Sequence, residues 1–192
     1  MLEKNEIIQS ALQNLKIESL NPMQEAALEQ GTGRKDVILL SPTGSGKTLA
    51  YLLPLLLTLK PNDDSVQVLI LVPSRELALQ IDSVFKAMGT SWKTCCCYGG
   101  HPIAEEKKSI LSNHPAIIIG TPGRITDHLS KGNFNPETIE TLIIDEFDKS
   151  LEFGFHDEMA EIITQLPGLK KRILLSATDA EEIPEFTGCL LY

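Results

Sequence analysis

Aromatic residues are scarce. They make up 5% of the 192-residue chain, with one Trp, three Tyr and six Phe, and none precedes Tyr51. No C-x-x-C pair occurs among the four cysteines, Cys95, Cys96, Cys97 and Cys189. Adjacent cysteines do not readily bridge, and the spacing lacks the paired signature of a zinc site. T-C-C-C-Y therefore reads as a buried strand of small apolar side chains carrying reduced thiols. Long apolar runs are missing too. The most hydrophobic stretch, Leu49–Leu59, is too short to span a bilayer and contains Pro54, so a buried helix is expected there. The N-terminal MLEKNEIIQS lacks the basic-then-apolar pattern of a secretory leader. Positive charge is not in excess: 17 Lys and Arg stand against 26 Asp and Glu, a net charge of −9. That balance excludes binding a polyanion by diffuse attraction, though not through backbone amides and a few placed arginines. The expectation is a cytoplasmic protein with no membrane partner.

What is present is an alternation. Short apolar, β-branched runs recur at Val37–Leu40, Val66–Val72, Ile117–Ile119, Leu142–Ile144 and Ile173–Leu175, with Lys93–Tyr98 a weaker sixth. Runs that are apolar throughout are strands covered on both faces. Helical patterns lie between them. Ser74–Met88 carries Leu77, Ile81, Phe85 and Met88 on one face. Further helices are expected within Pro42–Leu59, which opens as a loop, and at Ile103–Leu111, Arg124–Leu129, His156–Leu166 and Glu181–Phe186. Ile7, Ile8, Ala11, Leu12 and Leu15 make an earlier amphipathic helix, and Asn21-Pro22 is a cap followed by a first-turn proline. Strand–helix alternation at this spacing means one α/β domain over 1–192: a mainly parallel central sheet with helices on both faces. Ligands in such sheets sit beyond the carboxyl ends of the strands.

The first apolar run leads into S-P-T-G-S-G-K-T, Ser41–Thr48, and then a helix. Gly44 and Gly46 let backbone N–H groups approach an anion with no Cβ in the way, and the helix N-terminus adds its dipole. Thr43, Gly44, Ser45, Gly46, Lys47 and Thr48 are thus candidate phosphate-binding residues. Lys47 would reach the β- and γ-phosphates and Thr48 would hold Mg²⁺. Ser41 stands where the strict motif has its first glycine. A second strand ends in L-I-I-D-E-F-D, where three carboxylates crowd together. Beside a phosphate loop this reads as the other half of a P-loop NTPase site. Asp145 would hold Mg²⁺ largely through water, and Glu146 would orient or deprotonate the attacking water.

Six segments in order, S-P-T-G-S-G-K-T, P-S-R-E-L-A (Pro73–Ala78), Gly99–Gly100, T-P-G-R (Thr121–Arg124), D-E-F-D (Asp145–Asp148) and S-A-T (Ser176–Thr178), closely resemble the first RecA-like domain of DEAD-box ATP-dependent RNA helicases. The ordered set covers most of the chain. The resemblance implies that ATP is the nucleotide, with Glu146, Lys47 and Asp145 catalytic. Gln24 in L-N-P-M-Q would read adenine, since a Gln amide can pair with both N6 and N7; the plain alternative is an exposed helix residue. Pro73, Ser74, Arg75, Gly100, Thr121, Gly123 and Arg124 would hold the RNA sugar-phosphate backbone. Asp148, Ser176 and Thr178 would couple hydrolysis to strand separation. A second RecA-like domain with an arginine finger is implied, and nothing after Thr178 resembles it. This chain alone is therefore expected to bind nucleotide, hydrolyse it slowly and not unwind RNA. A non-catalytic, nucleotide-gated RNA clamp or scaffold is the alternative, and a DNA-directed motor the third reading.

The sequence also departs from the family pattern. Leu20-Asn21 replace Pro-Thr, the upstream aromatic that packs near adenine is missing or lies outside this chain, Ser74 replaces Thr, and Phe147 stands where Ala is usual. Phe147 is expected to be turned from the metal by strand alternation and to pack on Leu151 or a neighbouring helix.

Overall fold

A computed structural model describes residues 2–33, 35–42, 44–177 and Thr187. The expected helix at Glu181–Phe186, together with Thr43, Thr178 and Cys189, lies outside the described residues. The strands in chain order are β1 (Val37–Leu40), β2 (Val68–Leu71), β3 (Thr94–Cys97), β4 (Ile117–Gly120), β5 (Thr141–Ile144) and β6 (Lys171–Ser176). They form one sheet in the order β1-β6-β5-β2-β4-β3, and every neighbouring pair is parallel. All six match apolar runs read from the sequence. The ladder of β2 is shorter than Val66–Val72, although Val72 still donates to the carbonyl of Gly120.

The helices are α1 (Leu2–Asn14), α2 (Pro22–Gly31), α3 (Lys47–Thr58), α4 (Arg75–Ala87), α5 (Ile103–Asn113), α6 (Pro122–Ser130), α7 (Phe147–Glu152) and α8 (His156–Thr164). Two apolar cores result. One gathers Tyr51, Leu52, Ile81, Phe85, Ile70 and Ile143 with Ile8 and Ala11 of α1. The other gathers Leu69, Ile118, Ile125, Leu142, Ile144, Met159 and Ile162. Alternate residues of the central strands β2, β4 and β5 fall into different cores, which is why those strands are apolar at nearly every position. Among the described residues no helix is long and apolar enough to cross a membrane. Of the run Leu49–Leu59, all but Leu59, the C-cap, lies in α3, most of whose residues are buried.

Local chemistry accounts for the element ends that matter. Asn21 caps α2: its Oδ1 accepts from Gln24 N–H while the Gln24 side chain accepts from Asn21 N–H, and Pro22 opens the helix. At the other end Lys171 donates to the carbonyls of Gly31 and Gly33, satisfying orphaned acceptors and tying α2 to β6. Helix α6 starts at Pro122, two residues before the expected Arg124, because Thr121 adopts the extended cap conformation and proline suits the first turn. Helix α7 has no counterpart in the sequence expectation. Strand β5 stops at Ile144, and Phe147 is the first residue of α7. Its burial therefore follows from the helix, not from strand alternation.

Candidate functional site

Apart from L-N-P-M-Q, which opens α2, the segments singled out in the sequence leave the carboxyl edge of the sheet, and the strand order sorts them into two groups. Strands β1, β5 and β6 deliver the phosphate loop, Asp145–Asp148 and Ser176. Strands β2, β3 and β4 deliver Pro73–Arg75, Gly99–Gly100 and Thr121–Arg124.

In the first group, Gly44 and Gly46 both have φ near +85°, at +83° and +85°. A Cβ on Gly46 would stand 2.5 Å from Nε2 of Gln24. That close approach is used: Gln24 donates to the Gly46 carbonyl at 3.2 Å and Asn21 donates to the Ser45 carbonyl at 3.0 Å. Gln24 is 7% exposed, which corrects the plain reading of an exposed helix residue. It fastens α2 to the phosphate loop. Ser41 donates its hydroxyl proton to Ser45 at 2.6 Å, so the serine in place of the first glycine is used inside the loop. Lys47 is buried, and its ammonium donates to the Ser41 carbonyl at 2.6 Å.

Asp145 follows β5 and is 3% exposed. Burial pushes its carboxyl above the usual range, opposed by the Tyr51 hydrogen bond, the Glu146 amide and the Lys47 charge. The Tyr51 hydroxyl donates to Oδ2 at 3.0 Å, and Glu146 N–H donates to Oδ1 at 2.9 Å. Burial, and then the carboxylate beside it, raise Tyr51 well above an ordinary phenol. Tyr51 went unread as a site residue. It lies one turn beyond Lys47 and Thr48 on α3, a spacing that a core residue on that face would share. Glu146 holds φ +49° and ψ +51°, a left-handed conformation rarely adopted by a non-glycine residue, and its carboxylate accepts from Lys149 at 2.9 Å. A cleft of about 410 Å³ joins these groups: Gly44, Gly46, Lys47, Thr48, Asp145 and Glu146 line it together with Leu15 and Ile17 of the N-terminal segment. Asp148 accepts from the Ala177 amide at 3.2 Å, which ties α7 to the Ser176–Ala177 strand end.

In the second group, Ser74 caps α4 through its hydroxyl, accepting from Leu77 N–H at 3.2 Å. Pro73 is buried and Arg75 exposed. The Arg75 guanidinium lies 5.1 Å from the centroid of the Tyr98 ring. Gly100 is exposed with φ +101°, and no atom lies within 4 Å of a Cβ built there. Thr121 is half-buried and Gly123 exposed at the start of α6. Arg124 differs: its side chain is 11% exposed and is engaged by Glu106 and the His101 carbonyl. T-C-C-C-Y, expected as a buried strand, forms β3 at the sheet edge, where Cys95 and Cys97 are buried and Cys96 is half-buried. Burial pushes the Cys96 thiol up to about 12, so it is not a reactive thiolate.

The geometry is matched by known proteins. A family model described as DEAD/DEAH box helicase matches residues 21–186. The ATP-dependent RNA helicase CshA of Listeria monocytogenes is 34% identical over 93% of this chain and 35% of its own length. The DEAD-box ATP-dependent RNA helicase RhpA of Helicobacter pylori is 38% identical over 90% of this chain, again 35% of its own length. The chain thus spans about a third of the curated relatives it matches. Among solved structures, a hypothetical ATP-dependent RNA helicase from Sulfolobus tokodaii superposes with TM-score 0.85 at 32% identity, covering 96% of this chain and 54% of that one. A DEAD-box helicase solved bound to ssRNA and UDP-BeF superposes with TM-score 0.84 at 27% identity, covering 94% of this chain and 40% of that one.

Proposed function

Because the chain belongs to the DEAD/DEAH box helicase family, we propose that it is the ATP- and RNA-binding RecA-like domain of an ATP-dependent RNA helicase. In this reading it works in the cytoplasm and partners a second RecA-like domain, and ATP hydrolysis drives local duplex unwinding or remodelling of RNA–protein complexes. The observation that carries the reading is the single cleft in which the glycine-rich loop, Lys47 and Thr48 face Asp145 and Glu146.

Each residue has a chemical task. The amides of Thr43–Thr48 and the α3 N-terminus receive the phosphates. Lys47 exchanges its bond to the Ser41 carbonyl for the β- and γ-phosphate oxygens. Gln24 and Asn21 hold the loop in register, and Gln24 faces the adenine. The donor set suits Mg²⁺: a buried carboxylate that burial has made costly to ionise, with the Thr48 hydroxyl in the same cleft. When bound, the ion neutralises charge on the β- and γ-phosphates. Glu146 accepts a proton from the attacking water as its oxygen bonds to the γ-phosphorus and ADP departs. Its ion pair with Lys149 holds the carboxylate until water and nucleotide are in place. Pro73–Arg75, Gly100, Thr121 and Gly123 form the RNA track, contacting backbone rather than bases, with 2′-OH contacts selecting RNA, while Arg124, bonded inward to Glu106 and the His101 carbonyl, supports it. Asp148, Ser176 and Thr178 transmit the state of the nucleotide site.

Nucleotide titration of this chain tests the reading. ATP with Mg²⁺ should bind, and Lys47→Ala should weaken it at least ~10-fold, the change that ~1.4 kcal/mol produces. Equal affinity in the variant would remove the phosphate loop from the account.

A further inference from the structure

The carboxylate of Glu106, on α5, is 3% exposed and lies at the centre of the RNA half of the sheet edge. Oε1 accepts from Tyr98 N–H at 2.9 Å and pairs with Nε2 of His101 at 2.8 Å. Oε2 pairs with Nε2 of His128 at 2.6 Å and with Arg124 at 3.4 Å. The second amino group of Arg124 donates to the His101 carbonyl at 2.9 Å, closing a loop of bonds between the Tyr98–His101 turn and the first turn of α6. The Tyr98 ring, fixed from below by its own amide, carries Arg75 on its face and His101 against its edge, with ring centroids 4.8 Å apart. Two chain segments, the Tyr98–His101 turn and α6, therefore converge on one buried acid, and Arg75 joins them through the Tyr98 ring. Cys97, Glu106 and His128 present ligand atoms within 4.8 Å of one another, the spacing of a metal site. Hydrogen bonds already account for that closeness, because both carboxylate oxygens and both His128 nitrogens are engaged, the latter with Glu106 and Asn133.

We infer that Glu106 is a positioning residue for RNA: its carboxylate locks the Gly99–His101 turn, the N-terminus of α6 and, through Tyr98, Arg75 into one phosphate-tracking surface, with Arg124 acting as an internal strut. This rests on the proposed RNA-binding function and adds to it a residue that touches no RNA. A buried anion beside a polyanion site is unfavourable by simple Coulomb repulsion, so a positioning role and a purely electrostatic role predict opposite signs. Replacing the carboxylate with an amide keeps shape and volume. It also turns an NH₂ donor either toward Arg124 or toward the Tyr98 amide, neither of which can accept.

The test uses Glu106→Gln and a single-stranded RNA oligonucleotide, with affinity read by fluorescence anisotropy and ATP affinity as the internal reference. The expected result is RNA binding weakened ~10-fold, equivalent to ~1.4 kcal/mol, with ATP affinity within about twofold of the parent. Amide hydrogen exchange in the free protein should rise at 98–101 and 121–125 and stay unchanged at 41–48. Unchanged or tighter RNA binding, or unchanged exchange at both turns, would overturn the inference. If the parent chain binds no RNA, the functional reading falls instead, and the exchange experiment alone decides the role of Glu106. Arg124→Ala separates strut from ligand. A strut leaves the dependence of log affinity on log salt unaltered, whereas loss of a phosphate contact lowers that slope by about 0.7 and would overturn the strut assignment.

Discussion

At the scale of single residues, Asp145 concentrates the conflict between stability and function. Its carboxylate is buried, and burial raises its pKa above the ordinary carboxylate value of 3.8. A group whose folded pKa is raised is penalised in the folded state only when ionised. The cost is absent below the ordinary pKa, grows as pH rises and is complete above the raised value. Asp145→Asn removes that cost while an amide can still accept from Glu146 N–H and donate to the Tyr51 oxygen. The variant should melt a few degrees higher at pH 7, the shift ~1 kcal/mol makes in a domain of this size, with the difference closing toward acid. Thermal melts across pH check this; a variant no more stable at neutral pH would refute the stored cost. The placement of Asp145 at the cleft was readable from its position after an apolar strand. Tyr51 was not, because a tyrosine among leucines in a helix has the pattern of core, and only the fold brings it 3.0 Å from Asp145. Glu106 escaped for a similar reason: α5 has acids at Glu105 and Glu106, and only packing buries one of them.

At the scale of elements, α7 is the informative miss. It is six residues long, too short for helical periodicity to register, and it follows a strand whose alternation seemed to continue. The left-handed Glu146 makes the turn from β5 into α7. Phe147 then enters the core with Leu142, Ile144, Met159 and Ile162, against which Leu151 packs, and is 1% exposed. The aromatic in the acidic cluster is thus the anchor of a short helix whose neighbours face the cleft. Phe147→Ala should destabilise the fold by about 3 kcal/mol or more and leave the ATP dissociation constant nearly unchanged. Denaturant unfolding and nucleotide titration separate the two; a large loss of ATP affinity with stability retained would show that the ring shapes the site directly. Elsewhere the elements were legible because their physics is local. Apolar runs of three or more mark β1, β2, β4, β5 and β6, the 3.6-residue stripe marks α4, and Asn21-Pro22 marks the start of α2 by its own cap.

At the scale of the whole molecule, the sequence named the segments and the sheet order arranged them. No local pattern reveals that β5 and β6 insert between β1 and β2, yet that insertion sets Asp145 beside the phosphate loop and Ser176 between them, and leaves β2, β4 and β3 together to carry the RNA segments. In the proposed reading the ATP and RNA sites share one edge and meet where β5 adjoins β2, so that a change at one would be felt at the other through Asp145–Asp148 and the Ser176–Ala177 end. The central claim is that Glu146 activates water in this cleft in response to RNA. Its most direct test is the RNA-stimulated rate of ATP hydrolysis when this chain is paired with a second RecA-like domain, as the proposed function requires, parent against Glu146→Gln. The account predicts a fall of at least ~100-fold with ATP affinity retained, and an unchanged stimulated rate would contradict it.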